Sequence, residues 1–293
     1  MTQPRPDARQ RLAVALQRLR TDAGLSQAQL AAAVGISQPT VTRMEKGTHK
    51  PSSKAVNGWL DAVQATTKAR TEVLALAADA AVKVEGWRTM FRGGMAATQQ
   101  AMRAADEAAV EIQHVQPFVV PGHWQPHAYA RAAIAGYRLT VDNDRKVERD
   151  LDAAADARIA RGNAMRARAQ VPYHVVVTEL GLRMLPLGVT VAMRSEAIRA
   201  MAHDAEHLDH VTVQVVPAEA PVLQVPVCGW IAYRQSAEAD DLVVIQVETP
   251  GALITLSSPA DVAPFDLAWQ RWRDSALPPA ESVRFLRTLT ASE

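Results

Sequence analysis

The sequence predicts a multidomain chain: an N-terminal all-α helix-turn-helix domain of five helices, followed by an α+β domain with a mainly antiparallel sheet of about five strands. Three observations carry this expectation. Up to Val84, short amphipathic runs are separated by Ser, Thr, Gly and Pro, with no alternating pattern between them. After Pro172 the hydrophobic period becomes strand-like, in β-branched runs bounded by turn residues. The length of 293 residues, with 48% hydrophobic and 22% charged content, suffices for two cores of ordinary globular composition. Gly86-Trp87-Arg88 and Gly93-Gly94 break the helical pattern, so the domains are expected at 1–84 and 85–293.

Residues 1–6 read as a polar, Pro-containing tail. Leu12, Leu16 and Leu19 then share one helical face that ends near Gly24. Ser26 caps a short helix through Ala33, which Gly35 stops. Ser37 caps the next, and Pro39 is tolerated in its first turn, where a missing N–H has no helical partner; Gly47 ends it. A fourth helix opens at Ser52 or Ser53 and carries Val56, Trp59, Leu60 and Val63. The fifth opens at Thr66 or Thr67 and carries Val73, Leu74, Ala77 and Val84.

In the larger domain, helix is expected from Met95 to Val115, a loop over Gln116–Pro126, and helix again over Ala128–Tyr137. A charged, Ala-rich helix over 143–170 would turn Arg145, Arg149, Arg158, Arg161, Arg166 and Arg168 mostly outward. Strands are expected at Val175–Leu180, Val211–Val216, Val227–Tyr233, Leu242–Val247 and Ala252–Leu256. One helix over Val191–Leu208 interrupts them, with Met193, Ala197, Met201, Ala205 and Leu208 inward. Four successive strands without crossover helices favour antiparallel pairing. Helices over 261–275 and 280–290 close the chain.

A formal charge of +1 conceals an asymmetry: residues 1–83 hold twelve basic and six acidic residues, the remainder twenty and twenty-five. A basic small module on an acidic larger one fits phosphate contact localised to the N-terminus. Arginines greatly outnumber the six lysines and alanine is abundant, which implies a GC-rich, actinobacterial genome. The lone Cys228 excludes an internal disulfide and reads as an inert buried thiol. Neither an apolar leader nor a run of about 18 apolar residues occurs, so the expected location is cytoplasmic, and nucleoid-associated when bound to DNA.

Leu30, Ala31, Val34, Ile36, Val41 and Met44 occupy the positions that must be apolar for two short helices to pack at a steep angle. This leaves Gln38, Pro39, Thr40, Thr42 and Arg43 outward on the second helix, the one that enters a major groove in such motifs. Gln38 suits adenine N6/N7, and Arg43 suits guanine O6/N7 or a phosphate. The threonines offer a hydroxyl to phosphate or a methyl to thymine, whereas Pro39 has no hydrogen to donate. Ser26, Ser37 and Gln27 lie at helix starts, where backbone amides also point outward, and Gln27 is placed to grip the DNA backbone. Lys46, His49 and Lys50 follow in a loop and add phosphate contacts. The alternative is a five-helix module that binds protein; the basic excess and the intact polar face weigh against it.

These residues resemble the phage-repressor (Cro/CI, xenobiotic-response-element) helix-turn-helix family over roughly residues 9–76. The resemblance rests on Gly-Leu-Ser-Gln, Val-Gly-Ile-Ser and Val-Thr-Arg-Met-Glu-Lys-Gly as they stand between Gly24 and Gly47. It implies that Gln27, Gln38, Pro39, Thr40 and Arg43 face DNA, and that Arg20 and Glu45 form a structural ion pair. Gln116–Gly122, Gln125, Tyr129–Ala132, Val213–Pro217 and the closing Trp269, Ala276-Leu277 and Glu281-Ser282 resemble actinobacterial regulators with an antitoxin-like C-terminal domain, among them the WhiJ-like family. That likeness covers approximately residues 85–290 and implies a small partner protein encoded nearby.

His203, His207 and His210 read as a solvated helix face rather than a metal site, because Glu196, Arg199 and Glu206 share it. His123 and His127 are separated by Pro126, which marks a loop. Tryptophans outside the first module read as core and interface anchors. No catalytic constellation stands out, so neither an enzyme nor a cofactor or metal is expected. The leading expectation is a transcriptional regulator, a repressor, that binds a double-stranded DNA operator as a homodimer and responds to a small partner protein. The alternative is a metabolite-sensing regulator with a ligand pocket in the C-terminal domain, which an apolar pocket with a few convergent polar groups would favour.

Overall fold

The computed structural model describes residues 8–49, 51–141, 148–223, 228–236 and 241–291. The chain divides into two compact units. One contains the chain up to Lys83 with short stretches at Asp241–Leu242 and Leu256–Asp261; the other contains the rest.

The first unit is built from α1 (Ala8–Asp22), α2 (Gln27–Val34), α3 (Gln38–Glu45), α4 (Ser53–Ala62) and α5 (Thr67–Ala81). Side chains of Ser26, Ser37, Ser52 and Thr66 each accept a backbone N–H and so cap α2 to α5. The Ser26 cap is reciprocal, since Gln29 returns a bond to the Ser26 N–H. Gly35 turns the chain between α2 and α3 with φ +76°, a conformation costly for any side chain with a Cβ. Leu12 and Leu16 of α1, Leu30, Val41, Met44, Trp59 and Leu60 form the core. Val84 is not part of α5; it lies in the following strand.

The second unit carries, apart from the terminal residues of β1, β6 and β7, a seven-stranded mixed sheet with the order β1-β7-β6-β5-β2-β3-β4. Its strands are β1 (Lys83–Gly86), β2 (Glu111–Gln116), β3 (Tyr173–Thr178), β4 (Val211–Val216), β5 (Trp230–Ser236), β6 (Asp241–Glu248) and β7 (Ala252–Leu256). The α+β class holds, but the sheet is larger than the sequence suggested, and one end of it, β2-β3-β4, is parallel. Strand β2 runs parallel to β3 and β3 to β4, while β2 pairs with β5 antiparallel. Parallel pairing requires crossovers. Helices α8 (His127–Val141) and α9 (Glu148–Ala167) supply the first, and α10 (Glu179–Arg183) and α11 (Val191–His207) the second.

Two expectations fail at β2. Helix α7 (Met95–Ala108) stops before Val110, and Glu111–Gln116 is the strand next to β5, not the end of a helix or the start of a loop. The polar Gln113 and His114 masked it, because buried polar side chains erase the apolar alternation that marks a strand. The helix α9 differs in part: Arg161 is buried rather than outward, and the half-buried Arg166 pairs with Asp204 at 2.7 Å. The side chains of Arg145 and Arg149 lie outside the described set. Cys228 is half-buried and precedes β5 rather than lying within it. A short α6 (Trp87–Met90) precedes α7, and α12 (Pro259–Ser275) and α13 (Pro279–Ala291) close the unit.

Candidate nucleic-acid interface

Helix α3 presents its polar face around a buried ion pair. Arg20 Nε donates to Glu45 Oε1 at 2.5 Å, and its Nη2 donates to Oε2 at 3.1 Å. Arg20 Nη1 also donates to the Leu25 carbonyl at 2.7 Å, so the guanidinium joins the end of α1, the loop before α2 and the end of α3. The fork geometry of Arg suits two carboxylate oxygens at once.

Gln27 extends this network. Its Nε2 donates to Glu45 Oε2 at 2.7 Å, and its Oε1 accepts from Thr42 Oγ1 at 2.9 Å. Thr42 Oγ1 also reaches the Gln38 carbonyl at 3.2 Å. Both half-buried side chains therefore hold α3 against α2, which leaves less of each for a ligand. Thr40 is bonded locally as well: its hydroxyl lies 2.8 Å from Ser37 Oγ and accepts from Arg43 Nη2 at 3.2 Å. The Ser26 and Ser37 hydroxyls serve as helix caps.

Exposed at the start and along the rim of α3 are Gln38, Pro39 and Arg43, with Lys46 and His49 just beyond. Gln38 and Pro39 occupy the first turn, where backbone N–H groups have no helical partner. Partial burial and the nearby Arg43 guanidinium hold His49 below its usual range, so it is a neutral hydrogen-bonding group at physiological pH. Lys50 lies outside the described residues. Of the histidines weighed as a cluster, His203 and His207 stack on the exposed face of α11 with ring centroids 4.2 Å apart. His210 is elsewhere, with Nε2 3.1 Å from the Met165 carbonyl.

The second unit holds a constellation that reading the sequence missed. Asp106 of α7 takes a forked pair from Arg161 of α9, with Nε at 2.8 Å and Nη2 at 3.2 Å. His123, in a 3-10 turn at Gly122–Trp124, places Nε2 3.4 Å from Asp106 Oδ2 and Nδ1 2.9 Å from Tyr173 Oη. Tyr173 Oη lies 2.8 Å from His114 Nδ1. Burial alone would raise the Asp106 carboxyl, but Arg161 and the His123 hydrogen bond hold it well below the usual carboxylate range. Burial pushes the His114 imidazole down to about 3 and lowers His123 despite its bond to Asp106. Both histidines are thus neutral at physiological pH.

Gly162 permits this assembly. A Cβ there would lie 2.3 Å from the His123 carbonyl oxygen, so only glycine lets α9 approach the turn closely enough for Arg161 to reach Asp106. One signal in the sequence did point here: Arg161 falls on the stripe of α9 otherwise formed by Leu151, Ala154, Ala155 and Met165.

The capped helix pair and its exposed polar edge define the class: a DNA-binding transcriptional regulator of the helix-turn-helix kind. Residues 11–74 match the helix-turn-helix domain family. Residues 99–288 match a family described as a domain of unknown function (DUF5753), and the chain belongs to that family. No curated protein matches the chain. Two solved structures of the clp gene regulator ClgR from Corynebacterium glutamicum are similar to parts of it. One is 29% identical and covers 27% of this chain and 97% of its own, with TM-score 0.23. The other is 24% identical and covers 36% and 96%, with the same TM-score of 0.23. Among the described residues, no helix is long and apolar enough to cross a membrane.

Proposed function

We propose that the protein is a sequence-specific repressor, acting in the cytoplasm on a double-stranded operator, with α3 as the reading helix. The observation that carries this reading is the exposure of Gln38, Pro39 and Arg43 on a helix locked from behind by the Arg20, Glu45 and Gln27 network. Gln38 and Arg43 read base edges, and Pro39 packs against them without donating. Thr40 and Thr42 offer methyl groups from partly satisfied positions. Ser26 and Gln27 meet the phosphate backbone beside the start of α2, and Ser37, Lys46, His49 and Lys50 supply further backbone contacts. A homodimer addresses half-sites about one helical turn apart, and the domain spanning 85–293 pairs the copies and answers a small partner protein.

The test is selection of preferred duplexes from a random pool by the full chain and by Gln38→Ala and Arg43→Ala variants. Each variant is expected to lose about 1–3 kcal/mol of discrimination at the base it reads. Lys46→Ala is expected instead to weaken all sequences alike and to lower the salt slope by about one. Unchanged selectivity in both α3 variants would sink the assignment of the reading helix. A specific observation also favours the metabolite-sensing alternative: a cavity in the second unit.

A further inference from the structure

We infer that this cavity is a binding site for a neutral amphipathic small molecule, with an aromatic or alicyclic body and a hydroxyl or N–H at one end. The inference goes beyond DNA reading and does not depend on it. The cavity measures about 840 Å³, within the range of sites that enclose a small organic ligand. Its walls are largely apolar, with Phe118, Trp230, Ile231, Val247 and Ile254 among the lining residues.

The polar end is built on one face of the sheet. His114 of β2 stands opposite Ile231 of β5, and Tyr233, two residues along β5, points to the same side. The ion pair sets the hydrogens along the chain that ends there. Ionised Asp106 takes the N–H of His123 Nε2, so His123 Nδ1 is an acceptor for the Tyr173 hydroxyl. Tyr173 Oη in turn accepts from His114 Nδ1, which leaves His114 Nε2 with a lone pair on a residue that lines the cavity. Nearby, the Tyr233 hydroxyl is fully buried and makes no hydrogen bond of ordinary geometry; burial and the nearby Asp106 carboxylate raise its pKa, but that carboxylate is already engaged by Arg161 and His123.

An O–H or N–H given to His114 and an oxygen or nitrogen that accepts from Tyr233 would satisfy both. Neutrality follows from the lining. Arg161 is matched by Asp106, both histidines are uncharged, and Arg158 and Glu248 stand in the wall with opposite sign. Arg158 is also bonded to the Gln125 amide oxygen at 2.8 Å. A net charge on the ligand would have no excess of opposite sign to meet.

Gly136 of α8 is an exposed residue in the cavity lining, and a Cβ added there would meet nothing within 4 Å, so a larger side chain can be placed at the cavity's rim without a clash. The experiment titrates the full chain with 2-naphthol, which has both a body and an O–H, and with naphthalene, which has the body alone. One saturable site per chain is expected, with 2-naphthol the tighter. Gly136→Leu should weaken both probes at least about tenfold by occupying the space, whereas Gly136→Ala should leave both bound. Tyr233→Phe removes the hydroxyl alone and should weaken 2-naphthol roughly threefold to tenfold with naphthalene unaffected. No saturable 2-naphthol binding, binding indifferent to Gly136→Leu, or equal losses of both probes in Tyr233→Phe would each overturn the inference.

Discussion

Arg20–Glu45 in the first unit and Arg161–Asp106 in the second are both forked guanidinium–carboxylate pairs with little access to water: side-chain exposures are 13% and 4% in one, 8% and 10% in the other. Their neighbours differ. The first pair hands its spare carboxylate capacity to Gln27 and Thr42, so its bonds end on the helix that presents Gln38 and Arg43. The second hands its capacity to His123, Tyr173 and His114, so its bonds end at a cavity. A buried ion pair is weak evidence of stability, because desolvation offsets most of its attraction. In this molecule each pair is better understood as a positional device, one setting the pose of a surface helix and the other the hydrogen polarity of a cavity wall.

The comparison can be broken by removing one carboxylate charge at a time. Asp106→Asn keeps the side-chain shape and strands the Arg161 charge; the expected loss is about 3–5 kcal/mol. Amide hydrogen exchange in the full chain should show it as faster opening of β2, α9 and β3, with α2 and α3 unaffected. Glu45→Gln should cost less, about 1–3 kcal/mol, because Arg20 keeps its bond to the Leu25 carbonyl and borders solvent. Its effect should be confined to peptides from α1 to α3. A larger loss from Glu45→Gln than from Asp106→Asn would reverse the ranking and show that the first pair, not the second, carries the heavier burial cost.

The two networks were not equally legible in the sequence, and range along the chain explains why. Arg20, Gln27, Thr42 and Glu45 fall within one motif whose caps, Gly turn and apolar spacing are local signals. The second network brings together α7, the turn at His123, α9, β2 and β3, and no local pattern reports such an assembly. Its local signals were mixed: His114 and Gln113 made β2 look like the tail of a helix, and Arg161, although on the buried stripe of α9, looked like one more outward arginine. The parallel end of the sheet was missed as well: without β2 to pair with β3, the run from β4 to β7 with no crossover helix set the reading. Long-range polar burial breaks the very periodicity from which strands and faces are read.

Acid should separate the two regions by a smaller but diagnostic margin. His114 and His123 have folded pKa values below the unfolded 6.5, so the unfolded chain binds more protons at low pH. Their contribution is fully present above about pH 6.5 and is lost as pH falls toward the folded value, about 3 for His114. Between pH 7.5 and 5.5 His114 should cost the second unit about 1 kcal/mol, and His123 adds a loss of the same sign. The first unit has only the exposed His49 with a shift of that sign, and solvent screening makes its share much smaller. Exchange protection followed over this interval should therefore decline in β2 and β3 while α2 and α3 hold nearly constant. A uniform decline in both units would point to a general charge effect, and flat protection in β2 would mean that the two imidazoles take up protons without leaving their places in the wall.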